Sequence, residues 1–375
     1  MSGIYIHIPF CKKRCNYCDF YSDTNLQLRE LLVKSLMKEI ELRKNYLSDK
    51  KINTIYFGGG TPSLLQAQDF ENIFTAIFKH YSVSPDAEIT FEANSDDLTS
   101  EYLSNLSALP FNRISIGIQS FNDFFLQLLN RRHSREQAFR SIENAQKAGF
   151  NSINIDLIYG LPFQTLKNWE EELNTALNTG IQHISAYGLT YEAGTEFRNM
   201  LDNGNIEALS DETMNEMYKM LLDKTKVAGF EAYEISNFAL PGFHSRHNSA
   251  YWNYKPYIGI GPSAHSYNGN SRQWNCHSIT DYIQAISENR ISAEEENLSL
   301  YNRYNDFVMV SLRTAKGIDL TRLEAQFGTE LKNYCFENIN SFIETGHVKY
   351  SDNTLRLSID GVLISDSILT KIMRV

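Results

Sequence analysis

The amino-acid sequence predicts an α/β fold of parallel strands with helices between them, followed by a smaller α+β unit of winged-helix-like layout. Three observations carry this expectation: six short β-rich runs recur in series through the first two thirds, helical apolar spacing fills the gaps between them, and the pattern changes after Asp281. Strand and helix in strict alternation imply crossover connections, and therefore parallel strands. With 375 residues, 42% of them hydrophobic, the chain can bury one large core plus a smaller attached unit, or two ordinary domains.

The β-rich runs cover residues 3–8, 52–57, 88–93, 113–119, 152–159 and 183–190. Between the first two, Leu28, Leu31, Leu32, Ser35, Leu36 and Glu39 recur at helical spacing. Strands buried on both faces read as apolar runs, as Ile153, Ile155, Leu157 and Ile158 do, with polar residues gathered toward their C-terminal ends. In barrel-like α/β folds that end carries the chemistry. From about Tyr191 the pattern loosens into a helix over 211–227, a strand over 231–238, and a loop rich in glycine and aromatic residues. Residues 281–375 then read as helices near 301–313 and 331–345, two short strands around Asp352 and Asn353, and a closing helix. The expected units are 1–238, a connecting or lid segment over 239–280, and 281–375; Glu294, Glu295 and Glu296 read as a solvated linker face.

Charge and composition narrow the function. Forty-five acidic against thirty-five basic side chains leave a net charge of −10, which disfavours general binding to nucleic acid or anionic lipid. Residues 300–375 hold nine basic and nine acidic side chains without a basic stripe, so the winged-helix-like unit reads as a packing or docking module. The start MSGIYIHIPF lacks a secretory pattern and no run of 18 apolar residues follows, so the expected compartment is the cytoplasm, with at most peripheral contact with a membrane.

Three of the five cysteines, Cys11, Cys15 and Cys18, form CxxxCxxC directly after the first strand, while Cys276 and Cys335 stand apart as ordinary thiols. One loop of this spacing can wrap three thiolates around a cubane 4Fe-4S cluster and leave one iron open. A bidentate small molecule, such as the amino and carboxylate groups of S-adenosylmethionine (SAM), suits that open iron, where it can accept an electron and undergo homolysis to a deoxyadenosyl radical. Structural zinc is the alternative, but it wants four ligands, and the nearest further candidate, His7, sits in a strand that should bury it.

CxxxCxxC with Tyr17 before the last cysteine resembles the radical SAM signature, and the wider string YIHIPFC is similar to the N-terminus of the oxygen-independent coproporphyrinogen III dehydrogenase-like branch. The resemblance runs along essentially the whole chain and implies a partial (β/α)6 TIM-like barrel. It also implies a SAM site. Gly58, Gly59, Gly60, Thr61 and Pro62 close the second strand, where glycines allow close backbone approach. Glu92, Gln119 and Asp156 close the third, fourth and fifth. Arg131 on the following helix, and Tyr5 and Tyr17 near the cluster, complete the implied SAM contacts. Lys12, Lys13 and Arg14 inside the loop are placed to dock an acidic electron donor such as flavodoxin.

Two departures separate the chain from the dehydrogenases of that branch. Phe20 stands where they resemble one another in carrying a fourth cysteine, and only ten residues precede Cys11. The chain contains instead His247, Asn248, Tyr251 and Trp252 in the pattern HNxxYW, which resembles the haem chaperone group. Histidine is a common axial haem ligand, aromatic residues such as Tyr254 and Tyr257 can cover a macrocycle, and Arg246 and Lys255 can meet its propionates. His265, in a glycine-bearing turn, aligns with an active-site position of the dehydrogenase and is a second candidate contact. The resemblance implies haem as ligand and apo-haemoproteins as clients; a homodimer is allowed. Three alternatives stay open: packing of His247 and its neighbours as a lid of the SAM pocket, oxidative decarboxylation of coproporphyrinogen III, and radical chemistry on another substrate.

Overall fold

A computed structural model describes residues 2–374. Six strands follow one another with a helix in each gap: β1 (Ser2–Ile8), β2 (Lys51–Gly59), β3 (Ser82–Asn94), β4 (Arg113–Gln119), β5 (Ile153–Tyr159) and β6 (His183–Gly188). They pair in sequence order, all parallel, as the alternation requires. The α/β class and the six-strand series are as the sequence predicts. The sheet curves past neither end into closure: it remains open, and its rims are extended by further strands.

On one rim, β8 (Asn237–Ala239) pairs antiparallel with β6, and β7 (Glu231–Ala232) pairs antiparallel with β8 to form the edge. The single strand expected over 231–238 is therefore two short ones, because residues 233–236 leave the sheet. There Ile235 N–H donates to Arg313 O at 3.2 Å, and Ala315 N–H to Tyr233 O at 3.1 Å. On the other rim, β9 (Tyr257–Ile260) runs parallel to β1, followed by antiparallel β10 (His265–Tyr267), β11 (Ser271–Asn275) and β12 (Ala293–Asn297). The segment 239–280, read from sequence as a loop, thus holds a helix, Arg246–Trp252, and three sheet strands. Glu294, Glu295 and Glu296 are an edge strand rather than a linker.

Each central strand divides its residues between two faces with period two. Ile153, Ile155 and Leu157 face the helices and are fully buried, whereas Asn154, Asp156 and Ile158 face the interior of the sheet's curve. The same division recurs on β4, with Ile114, Ile116 and Ile118 outward and Ser115, Gly117 and Gln119 inward. The helix Arg29–Leu42 is tied to the added strands through a buried ion pair. Arg43 Nη1 lies 3.0 Å from Glu39 Oε1, and Glu39 also accepts from Tyr282 Oη (2.6 Å), Asn275 Nδ2 (2.8 Å) and Gly261 N (2.8 Å).

Helices Leu300–Leu312 and Leu320–Glu344 and the sheet β13 (Ile318–Asp319), β15 (Thr354–Leu357), β14 (Val348–Ser351) enclose a second core around Tyr304, Phe307, Leu323 and Leu355. The long helix carries Gly328 at φ 86°, a break that separates the predicted helix near 331–345 from an earlier turn the sequence reading did not include. Ile279, Tyr282 and Ile286 belong to the first core, so the change of core comes after β12 and not at 281. No helix among the described residues is long and apolar enough to cross a membrane.

Candidate cluster and SAM site

The inward polar residues of β2–β6 and the loop after β1 enclose a cavity of about 470 Å³. Cys11, Cys15 and Cys18 form one wall, and Tyr17, Gly59, Gly60, Thr61, Glu92, Gln119, Arg131 and Asp156 line the rest. The structure brings these eight predicted SAM residues together with the three cysteines, across more than 140 residues of sequence. Tyr5 is apart from them: its hydroxyl lies 3.0 Å from His7 Nδ1 and its ring stacks on Tyr56. Gln119 ends β4 as expected, but Glu92 and Asp156 project from the bodies of β3 and β5, which run on to Asn94 and Tyr159.

The glycines act by what they omit. A Cβ on Gly60 would sit 2.6 Å from Phe10 O, and one on Gly59, which adopts φ 109°, would sit 2.6 Å from His7 Cε1. The strand end can therefore pass this close to the cysteine loop only without side chains. Gln119 adopts φ 68°, a left-handed conformation that costs free energy and turns its side chain into the cavity.

Arg131 is the electrostatic centre. Its Nη1 lies 3.4 Å from Cys15 Sγ, and its Nη2 donates to Asn94 Oδ1 (2.7 Å) and Gly117 O (2.6 Å). Burial opposes its charge, but Tyr17 and Cys15 beside it hold its pKa above the ordinary value. Burial raises the Cys11 thiol and pushes Cys18 up to about 11. Burial likewise pushes Glu92 up to about 7, although Tyr56 Oη (2.7 Å) and Gly59 N–H (3.2 Å) donate to it. Asp156 is also raised by burial, against donors Asn154 Nδ2 at 2.8 Å and Ser115 Oγ at 3.4 Å.

Among the described residues no three His, Cys, Asp or Glu side chains converge on a single point. A cubane asks something else of its ligands: thiolates standing around a volume, with an open side for a fourth partner. The cysteine wall fits this, being undisulfided, facing one cavity, and set beside a permanent cation. Lys12 is committed elsewhere, 2.8 Å from the buried Asp97, while Lys13 and Arg14 face the cavity mouth. Phe20 is 64% exposed there.

The HNxxYW residues are divided. Asn248 lines the cavity, with Ser245 before it. His247 does not: it is 2% exposed, its Nδ1 lies 2.8 Å from Thr54 Oγ1 and its Nε2 2.8 Å from Tyr251 Oη. Burial pushes its pKa down to about 3, so the ring is neutral. Trp252 lines a different cavity, and His265 is exposed on β10, stacked on Trp274. Arg246 faces Asp86, 3.6 Å away. Sequence reading missed Asn94, Ser115, Asn154, Ser185 and Tyr187, all of which line the site. Their signal is the polar stripe at every second strand position.

Comparison with known proteins agrees with this architecture. The model of the radical SAM superfamily matches residues 5–176, and that of the HemN C-terminal domain matches 298–364. The chain is 33% identical over 372 residues to heme chaperone HemW of Bacillus subtilis, covering 98% of both chains. It is 32% identical over 378 residues to the same-named protein of Mycobacterium tuberculosis H37Rv, covering 99% of this chain and 94% of that one. The structure of coproporphyrinogen III oxidase (HemN) from Escherichia coli, a radical SAM enzyme, superposes with a TM-score of 0.85 at 23% identity, over 99% of this chain and 90% of that one. That likeness shows the fold. A radical SAM domain works with a 4Fe-4S cluster and SAM, and Cys11, Cys15 and Cys18 with the cavity beside them are the residues here that fit both. With 33% and 32% identity over nearly its whole length to these two relatives, and the radical SAM model matching residues 5–176, the chain belongs to the HemW family of the radical SAM superfamily.

Proposed function

We propose that this protein is a haem chaperone, which binds haem and passes it to apo-haemoproteins in the cytoplasm. The observation that carries the reading is the 33% identity to heme chaperone HemW over 98% of both chains. The HNxxYW segment packing against the cluster cavity through Asn248 supports it, as does Phe20 in place of a fourth cysteine. In this reading Cys11, Cys15 and Cys18 hold the cluster, and Gly59, Gly60, Thr61, Glu92, Gln119, Arg131 and Asp156 hold SAM. When bound, the cluster supplies a low-potential electron at an iron that SAM can occupy. Arg131 balances thiolate charge, Glu92 and Asp156 present acceptors to the amino and hydroxyl groups of SAM, and Asn248 links haem handling to that pocket. Lys13 and Arg14 receive an acidic donor of the flavodoxin kind. Haem transfer between two copies or near a membrane surface is compatible with this arrangement.

The test is haem titration of anaerobically reconstituted protein, with coproporphyrinogen III turnover measured on the same sample. Stoichiometric haem binding without turnover is expected. Efficient decarboxylation with no haem binding would replace this reading by the coproporphyrinogen dehydrogenase one, which the HemN-like fold keeps in view. Cys15→Ala should lose the four-iron cluster, because each thiolate fills the coordination of one iron.

A further inference from the structure

The strand β4 ends irregularly. From Gly117 to Gln119 it advances two residues while β5 advances one, from Asp156 to Leu157, so a β-bulge interrupts the ladder at the C-terminal end of the strand. Gln119 closes the bulge at φ 68°, a conformation that a residue with a side chain holds only where its surroundings impose it. The bulge turns Gln119 back over Gly117, where a Cβ would sit 3.2 Å from Gln119 Nε2 and 3.2 Å from Arg131 Nη2. Gly117 thus leaves open the space into which both side chains reach.

What imposes this conformation lies outside the cavity. Glu172, on the helix Leu166–Leu177, is 5% exposed, and its carboxylate grips the two residues after Gln119: Oε1 accepts from Ser120 Oγ (2.5 Å) and Oε2 from Phe121 N–H (2.6 Å). On the other side of Gln119, His133 Nε2 lies 3.1 Å from Ile118 O. Residues 118, 120 and 121 are therefore each held by a buried side chain, while Gln119 between them lines the cavity. Burial raises the pKa of Glu172, and its two donors oppose that rise. Burying a carboxylate costs more free energy than an ordinary serine or asparagine turn cap does. Its two oxygens add a two-point hold, which fixes both the direction and the rotation of the segment.

Resting on the reading of Gln119 as a SAM contact, we propose that Glu172 is a positioning residue of the SAM site: its grip on Ser120 and Phe121 holds the bulge of β4 and so aims Gln119 at SAM. Released from that grip, the strand end relaxes toward regular pairing. A shift of one residue turns a strand side chain to the opposite face, and Gln119 then leaves the cavity.

The test measures the dissociation constant of SAM by equilibrium dialysis against the full chain reconstituted anaerobically, with iron content and the melting temperature of the SAM-free protein followed in parallel. Glu172→Ala should weaken SAM by about tenfold at unchanged iron content, the size of coupling found within one hydrogen-bond network. Glu172→Gln, which can still accept from Phe121 and donate to Ser120, should restore most of the affinity. In Gln119→Gly, which has no side chain to aim and no left-handed penalty, adding Glu172→Ala should lower the melting temperature but weaken SAM no further. Wild-type SAM affinity in Glu172→Ala would overturn the proposal, as would a tenfold loss that persists in Gln119→Gly, since Glu172 would then act only on the frame. Ser120→Ala removes one of the two bonds and should give a smaller loss with the same dependence on Gln119; it carries the test if Glu172→Ala prevents folding. If Gln119→Gly weakens SAM while Glu172→Ala does not, the positioning role falls and the contact reading stands. If Gln119→Gly binds SAM as tightly as wild type, both fall.

Discussion

Glu92 is an acid kept from water by the fold it serves. Burial raises its pKa from 4.5 to about 7, so the folded chain holds this proton more tightly than the unfolded one. The sign follows from linkage: the contribution to stability is complete below pH 4.5 and is lost as pH rises through 7. The loss amounts to at most about 3 kcal/mol. In the SAM-free protein, Glu92→Gln should therefore melt above wild type at pH 8, with the gap closing toward pH 5. A variant that melts below wild type by the same amount at both pH values would show that ionisation of Glu92 is not what limits the free protein. The cysteine loop around this acid is legible in the sequence because ligand spacing is local. The state of His247 is not, because its partner Thr54 lies 193 residues away and nothing in HNxxYW announces that both ring nitrogens are occupied.

Among the elements, the helix Arg29–Leu42 shows how periodicity both informs and misleads. Glu39 falls on the apolar stripe by spacing, and it is indeed completely buried, but as the acceptor of four donors from Arg43, Gly261, Asn275 and Tyr282. Arg43 in turn donates to Gly259 O (2.7 Å) and Gln273 Oε1 (2.6 Å), so one ion pair fastens this helix to β9 and β11. Removing one partner of such a pair leaves an uncompensated buried charge, so Glu39→Ala should cost about 3–5 kcal/mol. Tyr282→Phe, which removes one bond to the charge, should cost about 1.5–3 kcal/mol. Denaturant unfolding of both variants measures this, and a cost for Glu39→Ala below that for Tyr282→Phe would contradict it. The six central strands were readable from their outward aliphatic residues. Their inward stripe is only half legible, since Asp156 is marked by the family resemblance while Asn154 and Ser185 carry no signal beyond being polar at alternate positions. The short strands β7 and β8 and the break at Gly328 depend on contacts with distant segments, which local pattern does not encode.

At the scale of the whole molecule, a net charge of −10 surrounds a small basic patch. Lys12 is neutralised by Asp97, which leaves Lys13 and Arg14 to mark the cluster entrance. If the proposed electron donor is acidic, it should be repelled by most of the surface and attracted at this point, which would select one docking orientation. Reduction of the cluster by flavodoxin should slow as ionic strength rises, and the double substitution Lys13→Ser, Arg14→Ser should flatten that dependence; equal salt slopes in the two proteins would remove the patch from the docking site. The twelve-stranded sheet has a further consequence at its ends. One rim is β7, two residues long, and the other is β12, which carries three consecutive glutamates. A short rim offers no template, and a row of carboxylates repels its own copy. Neither rim of this sheet therefore invites extension by a neighbour's strand, and copies that associate along it are expected to meet through side-chain surfaces rather than by adding to its backbone ladder.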